Sequence, residues 1–243
     1  MRLFGRWLVL VVVAGVALQL FFLLRIATSA TVAPQSTTFQ RSEAWRLLKE
    51  RGQVHWMQGW VPYEQISENL KRAVIASEDD DFVNHDGVEW EAIEKAWEKN
   101  ARAQEMAQKR SPQRASAVRP PTIVGGSTIT QQLAKNLLLS GERTMVRKGQ
   151  EFVLAFLLER MLSKERILEI YLNSVEWGEG VFGCEAAAQR YWRKHASQLT
   201  PYEAARLAVM LPRPRYFEKV PNSGYLANRA HTIVARMRSA ELP

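Results

Sequence analysis

Hydrophobic positions along the chain fall into three patterns. Trp7 to Leu24 is almost wholly apolar, with Gln19 its only strongly polar side chain. About 18 residues at 1.5 Å each nearly span a bilayer core, so the run predicts a transmembrane helix over 7–26. Apolar residues then recur at helical spacing. A helix is predicted to begin near Ser42 with Ala44, Trp45, Leu47 and Leu48, another follows Ser67 with Leu70, Ala73 and Val74, and a third covers Val88 to Trp97 with Trp90, Ile93 and Trp97 on one face. Further helices are expected from Ile129, from Glu151, from Ile167 to Leu172, from Glu185 to Trp192, from Ala204 to Met210 and from Leu226 to Met237. The run Phe152 to Leu158 is apolar on every face, which predicts a buried central helix. No run alternates at the period of a strand, and no repeat recurs, so the chain reads as mainly α.

Between these helices lie the breakers. Thr31 to Gln40 holds Pro, Ser and Thr without periodicity and reads as a tether, placed at 27–41. Trp56 to Tyr63 lies among Gly52, Gly59 and Pro62 and reads as irregular, partly extended chain. Glu98 to Pro121 is rich in Arg, Lys, Gln and Ala; a solvated helix end and loop are expected, or else a basic strip against lipid headgroups. Thr200-Pro201-Tyr202-Glu203 is a capping box with proline at the first helical position.

Charge fixes the expected topology. Arg2 and Arg6 precede the apolar run, which places the tail 1–6 in the cytoplasm and the bulk of the chain across the membrane. A cleaved signal peptide competes with an anchor, helped by Ala27-Thr28-Ser29-Ala30, but the apolar run exceeds a signal core. The formal net charge of +8 points to acidic partners such as nucleic acid, phosphorylated metabolites or an anionic membrane; nucleic acid fails on location. The single cysteine, Cys184, excludes an intramolecular disulfide and is expected as a small buried apolar residue.

Two stretches carry chemistry. Glu78-Asp79-Asp80-Asp81-Phe82-Val83-Asn84-His85-Asp86-Gly87 places acidic and imidazole side chains and a turn glycine directly after a helix. Such a cluster must be solvated, bound to cations or catalytic. Gly125-Gly126-Ser127-Thr128 then opens a helix carrying Gln131, Gln132 and Lys135, which suggests anion binding at a helix start, although no Gly-Lys-Ser/Thr makes it a P-loop. Arg147 and Lys148 lie four and three residues before Glu151, so all three can share one helix face. His55, His85, His195 and His231 show no zinc-protease spacing, and no metal-ligand set is evident.

Five segments in order resemble the family-51 glycosyltransferases, the peptidoglycan polymerases. They are Glu78 to Gly87, Gly125 to Asn136, Arg147 to Glu151, Lys164 to Asn173, and Gly178 to Ala188 with Glu203-Ala204-Ala205 and Leu211-Pro212 after it. The short chain, single anchor and Val181 to Tyr191 stretch look like the monofunctional biosynthetic members from Gram-negative bacteria. The resemblance implies a lysozyme-like α-helical glycosyltransferase domain over 42–243, behind one N-terminal transmembrane helix, on the periplasmic side of the inner membrane. It implies that lipid II and the growing lipid-linked glycan are joined by inverting attack of a 4-hydroxyl on C1, with release of undecaprenyl pyrophosphate. Glu78 matches the family's general base. Glu151 matches a second carboxylate that orients the donor, stabilises positive charge at C1 or holds the basic set. Lys135 and Arg143 are expected on the pyrophosphate, with Arg147 and Lys148 beside them, and Ser127, Thr128, Gln131, Gln132 and Asn136 as neutral donors. No cofactor is expected to be required; a divalent cation, Mg or Mn, would at most assist the pyrophosphate, with Asp79 nearby. Other wall-synthesis or division proteins are expected partners. No Ser-x-x-Lys or Lys-Thr-Gly occurs, so transpeptidase activity is not expected. Arg213 between two prolines, Trp192 and the long 98–121 stretch depart from the family pattern. A membrane-bound lytic transglycosylase or lysozyme-like hydrolase is the alternative; it would need no pyrophosphate-binding cations.

Overall fold

A computed structural model describes residues 2–108, 126–139, 141–142 and 144–243. Helix α1 (Arg2–Ser29) contains a span, Phe4–Ser29, of mean hydropathy 2.7. Its apolar side chains from Phe4 to Leu24 are largely exposed, whereas Phe22 and Ile26 are buried in the domain core. The last turns are therefore part of the domain. Gln19 and Gln150 exchange amide hydrogen bonds of 3.2 and 3.1 Å, Arg166 Nε donates to the Ser29 carbonyl at 2.8 Å, and Arg25 donates to the Ser36 carbonyl at 2.7 Å.

The segment expected as a tether is packed in part, with Thr31, Val32 and Gln35 exposed. Thr37 and Gln40 are buried and form a capping box that starts α2 (Thr38–Arg51). Gln40 Nε2 also donates to the Ser174 carbonyl at 3.3 Å. Polar residues without periodicity read as solvated chain, yet here their hydrogen bonds close on the helix start and on neighbouring backbone.

The core is built by α3 (Glu68–Glu78), which packs against helices later numbered α9 and α11. Next comes α4 (Trp90–Gln108). Its part beyond Trp97 is the expected helix end, and the stretch 109–121 lies outside the described residues. Trp90 and Trp97 are exposed, with Trp90 stacked on Phe152 at 6.1 Å. Then follow α5 (Ile129–Leu138), α6 (Met145–Met161) and α7 (Lys164–Ser174), mutually packed. Three short strands, β1 (Met57–Gln58), β2 (Glu176–Gly178) and β3 (Val181–Phe182), form a sheet in the order β1-β3-β2. After the sheet come α8 (Cys184–Trp192), α9 (Pro201–Met210), α10 (Pro214–Phe217) and α11 (Gly224–Arg236). Cys184 is fully buried, which pushes its thiol up to about 12.

The expectation of a wholly buried helix over 152–158 is corrected. Leu154, Ala155 and Leu158 face the core, but Val153 and Phe156 are more than half exposed, and so are Met145 and Val146 at the start of the helix. Helix α6 packs against α1, so its outward apolar face continues the exposed apolar surface of the anchor. An all-round apolar helix is consistent with a core or with lipid; this one has one face in the core and another exposed.

Candidate active site

Glu78 is the last residue of α3. The cap residue that follows, Asp79, is buried, and its two oxygens tie distant chain together. Oδ2 accepts from the backbone N–H of Ile129, the first residue of α5, at 2.8 Å, and Oδ1 meets His85 Nε2 at 2.8 Å. His85 Nδ1 accepts from the Gly87 N–H at 3.0 Å, so Nε2 is the nitrogen that donates to Asp79. Gly87 adopts a positive φ of 82°, and its carbonyl accepts from Thr128 Oγ1 at 2.7 Å. The acidic stretch thus folds into a turn that fixes the start of α5. Phe82 is fully buried beneath the Lys164 ammonium, 4.5 Å from its ring centroid. Asp80 and Asp81 are exposed, as a solvated pair should be.

Glu78 is half-buried, but protein surrounds its carboxyl group closely. Burial is the first cause that raises its pKa, and the charge of Asp79 adds to it; hydrogen bonds from Gln132 and Ser77 and the charge of Arg229 oppose. Gln132 Nε2 donates to Glu78 Oε2 at 3.0 Å, and Tyr171 Oη donates to Gln132 Oε1 at 2.9 Å. Tyr171 is wholly buried, and its phenol pKa is raised well above its usual value by burial and then by Glu78 and Asp79. It is therefore a permanent donor. The result is a relay, Tyr171 to Gln132 to Glu78, that fixes the carboxylate, while burial keeps it basic.

Gln132 also lines a cleft of about 660 Å³ together with Lys135, Asn136, Arg147 and Lys148. Glu151 lies buried in α6 beneath two of these cations. Arg147 Nη1 reaches its Oε2 at 3.0 Å and Lys148 Nζ its Oε1 at 2.5 Å, so the expected shared face is realised. Lys148 also donates to Ser127 Oγ at 3.3 Å. Arg147 Nε is buried without a hydrogen-bond partner among the described residues. The cleft therefore has a basic lining, which suits transfer of a group carried on phosphate; Glu78 is not among its lining residues and is joined to it through Gln132, which is.

Three expected neutral donors, Ser127, Thr128 and Gln131, have a different place. Thr128 and Gln131 form the capping box of α5, each side chain bonded to the other's backbone, and both are buried. They hold the helix that carries Lys135 and are not among the residues lining this cleft. Arg143 and Gly125 lie outside the described residues. Among the described residues no group of three or more His, Cys, Asp or Glu side chains stands ready for a metal, and Asp79 has both oxygens bonded within the protein.

Sequence reasoning assigned no role to Tyr171, although it stands in the middle of one of the five recognisable segments. A hydroxyl in the apolar run Ile167 to Leu172 was the available signal. It also passed over Glu176, which lines the cleft from β2. Burial raises the pKa of Glu176 even though Arg215 donates to both its oxygens, at 2.9 and 3.0 Å.

The transglycosylase family model matches residues 46–238. A biosynthetic peptidoglycan transglycosylase from Paraburkholderia phytofirmans is 50% identical over 242 residues, covering 98% of this chain and 94% of that protein. One from Burkholderia thailandensis is 52% identical over 243 residues, covering 98% and 89%. One from Herminiimonas arsenicoxydans is 50% identical over 238 residues, covering 98% and 96%.

Proposed function

The chain belongs to the transglycosylase family, and from that premise we propose that it polymerises lipid II into β-1,4 glycan strands at the outer face of the inner membrane. It is a peptidoglycan glycosyltransferase. The observation that carries the mechanism is the Glu78 carboxylate, pinned by Gln132, which itself lines a cleft with Lys135, Arg147 and Lys148. A sugar hydroxyl is a weak nucleophile, and its proton must leave as the oxygen attacks. Glu78 takes that proton from the acceptor's 4-hydroxyl, and burial makes it a stronger base than an exposed glutamate. The hydroxyl oxygen bonds to C1 of the lipid-linked sugar from the face opposite the leaving group. The bond from C1 to the pyrophosphate oxygen breaks, its electrons stay with the pyrophosphate, and configuration inverts. Lys135, Arg147 and Lys148 stabilise the charge that collects there.

Glu151 is best supported as the residue that holds the basic set, since both its oxygens are bonded to Arg147 and Lys148. A Mg or Mn ion would arrive on the pyrophosphate and supply further charge neutralisation; no described carboxylate cluster is built to hold it. Membrane placement is supported by the single apolar span and by the exposed apolar face of α6 beside it. With Arg2 and Arg6 in the cytoplasm, the domain lies in the periplasm.

Purified full-length protein incubated with labelled lipid II and no other enzyme tests the proposal. Polymer that lysozyme digests is the expected product. Shortening of pre-made glycan while lipid II persists would establish a hydrolase instead.

A further inference from the structure

The cleft has two unlike sets of lining residues. The set from α5 and α6 carries the cations. The other comes from α2, β2 and the chain from α9 to α10, and is apolar except for Glu176. Glu176 is the sole carboxylate among the described residues that line this cleft. It is 6% exposed and held in one plane by the guanidinium of Arg215, whose Nε and Nη2 bond to its two oxygens at 2.9 and 3.0 Å. Arg215 is itself fixed from behind. Its Nη2 lies 2.5 Å from Glu43 Oε2, and the same Glu43 oxygen takes Arg46 Nε at 2.8 Å. This clamp locks the rotamer of Glu176 and leaves each of its oxygens a further acceptor site.

A fixed carboxylate repels phosphate oxygens and accepts hydrogen bonds without donating them. On the apolar side of a cleft whose other side carries the cations, it therefore marks the end where phosphate does not sit. Resting on the lipid-linked substrate proposed above, we propose that Glu176 accepts a hydrogen bond from a neutral donor on the sugar that carries the pyrophosphate, and so orients that sugar with its pyrophosphate toward Lys135, Arg147 and Lys148. Two donors of that sugar lie near C1: the acetamido N–H on C2 and the hydroxyl on C6. Glu176 is in this sense a specificity residue of the donor sugar, distinct from the base and from the pyrophosphate cations.

The bland alternative is that Glu176 and Arg215 only staple α10 to β2. Steady-state polymerisation by the full-length protein in detergent separates the two. The probes are lipid II, an analogue with an acetyl ester in place of the C2 amide, and an analogue lacking the C6 hydroxyl. Glu176→Gln keeps the shape and removes the charge. The expected result is a KM for lipid II raised about tenfold, as for loss of one charge-assisted bond, with kcat within about twofold. On the analogue that lacks the recognised donor, wild type and variant converge; that analogue identifies the donor. A lowered Tm with unchanged KM overturns the proposal, as do losses that multiply on both analogues. Should Glu176→Gln fail to fold, the wild type alone decides, because equal KM values for lipid II and both analogues overturn it. Wild type inert on lipid II would overturn the functional proposal and this one with it; active wild type with an unmoved KM overturns only this one.

Discussion

Tyr171→Phe removes one oxygen atom from a wholly buried ring and tests the relay behind Glu78. In the wild type the phenol can only donate at neutral pH, because burial and the charges of Glu78 and Asp79 keep it protonated. Its bond to Gln132 Oε1, 2.9 Å long, fixes which end of that amide faces Glu78. The amine end then donates to Glu78 at 3.0 Å. Phenylalanine leaves the Gln132 oxygen without that donor and frees the amide to turn. The bond lost directly joins neutral groups and contributes about 1 kcal/mol net, so Tm should fall by about 2–4 °C. The bond loosened indirectly is made to a carboxylate and contributes about 1.5–3 kcal/mol when intact. Losing part of it predicts a fall in kcat of roughly five- to tenfold at pH 7. The pH profile carries the sign. Gln132 favours the charged form of Glu78 and opposes the upward push of burial. Weakening it lets the pKa climb, so the acid limb of the kcat profile moves to higher pH and the deficit shrinks as pH rises. Initial rates of lipid II polymerisation between pH 5 and 9 measure this. An acid limb that stays in place, with an equal deficit at every pH, would show that Tyr171 only fills space.

Glu78→Gln should abolish polymerisation yet raise thermal stability at pH 8. A buried carboxylate with a raised pKa stabilises the fold below its unfolded value near 4.5, and that contribution is lost as pH rises through the folded pKa. The variant's Tm advantage should therefore be absent at pH 4 and present at pH 8; calorimetry showing the same difference at both would refute the burial of Glu78. Gly87→Ala forces a side chain onto a φ of 82° and sets its Cβ 2.9 Å from Glu159 Cγ and 3.3 Å from the Ala155 carbonyl oxygen. A loss of about 1–3 kcal/mol is expected from denaturant midpoints, and an unchanged midpoint would mean that the turn is not under this constraint. Gln19→Leu strands the amide of Gln150, next to Glu151, and should cost about 0.6–2 kcal/mol in detergent-solubilised full-length protein. No change in its unfolding midpoint would show that the anchor helix does not dock through this pair.

Local signals made much of this molecule legible. The apolar period placed most helices, because each needs a core-facing stripe, and Thr200, Pro201 and Glu203 marked the start of α9 down to the residue. The spacing of Arg147, Lys148 and Glu151 placed the basic set correctly, since three- and four-residue steps share a helix face. What sequence could not show were contacts closed across long separations. Asp79 serves the N–H of Ile129, Gln40 serves the carbonyl of Ser174, and Arg215 joins Glu176 to Glu43. Each of these polar side chains, read alone, is compatible with solvent. Composition also misled where the medium changes. Val153 and Phe156 read as core because hydrophobicity records preference for any apolar surroundings, and α6 lies against the anchor, where the surroundings need not be protein. Glu78 sits where both limits meet. Its place at the end of α3 is written in its own stretch of chain, whereas its basicity comes from burial and its orientation from Gln132 and Tyr171, which only the folded chain brings to it.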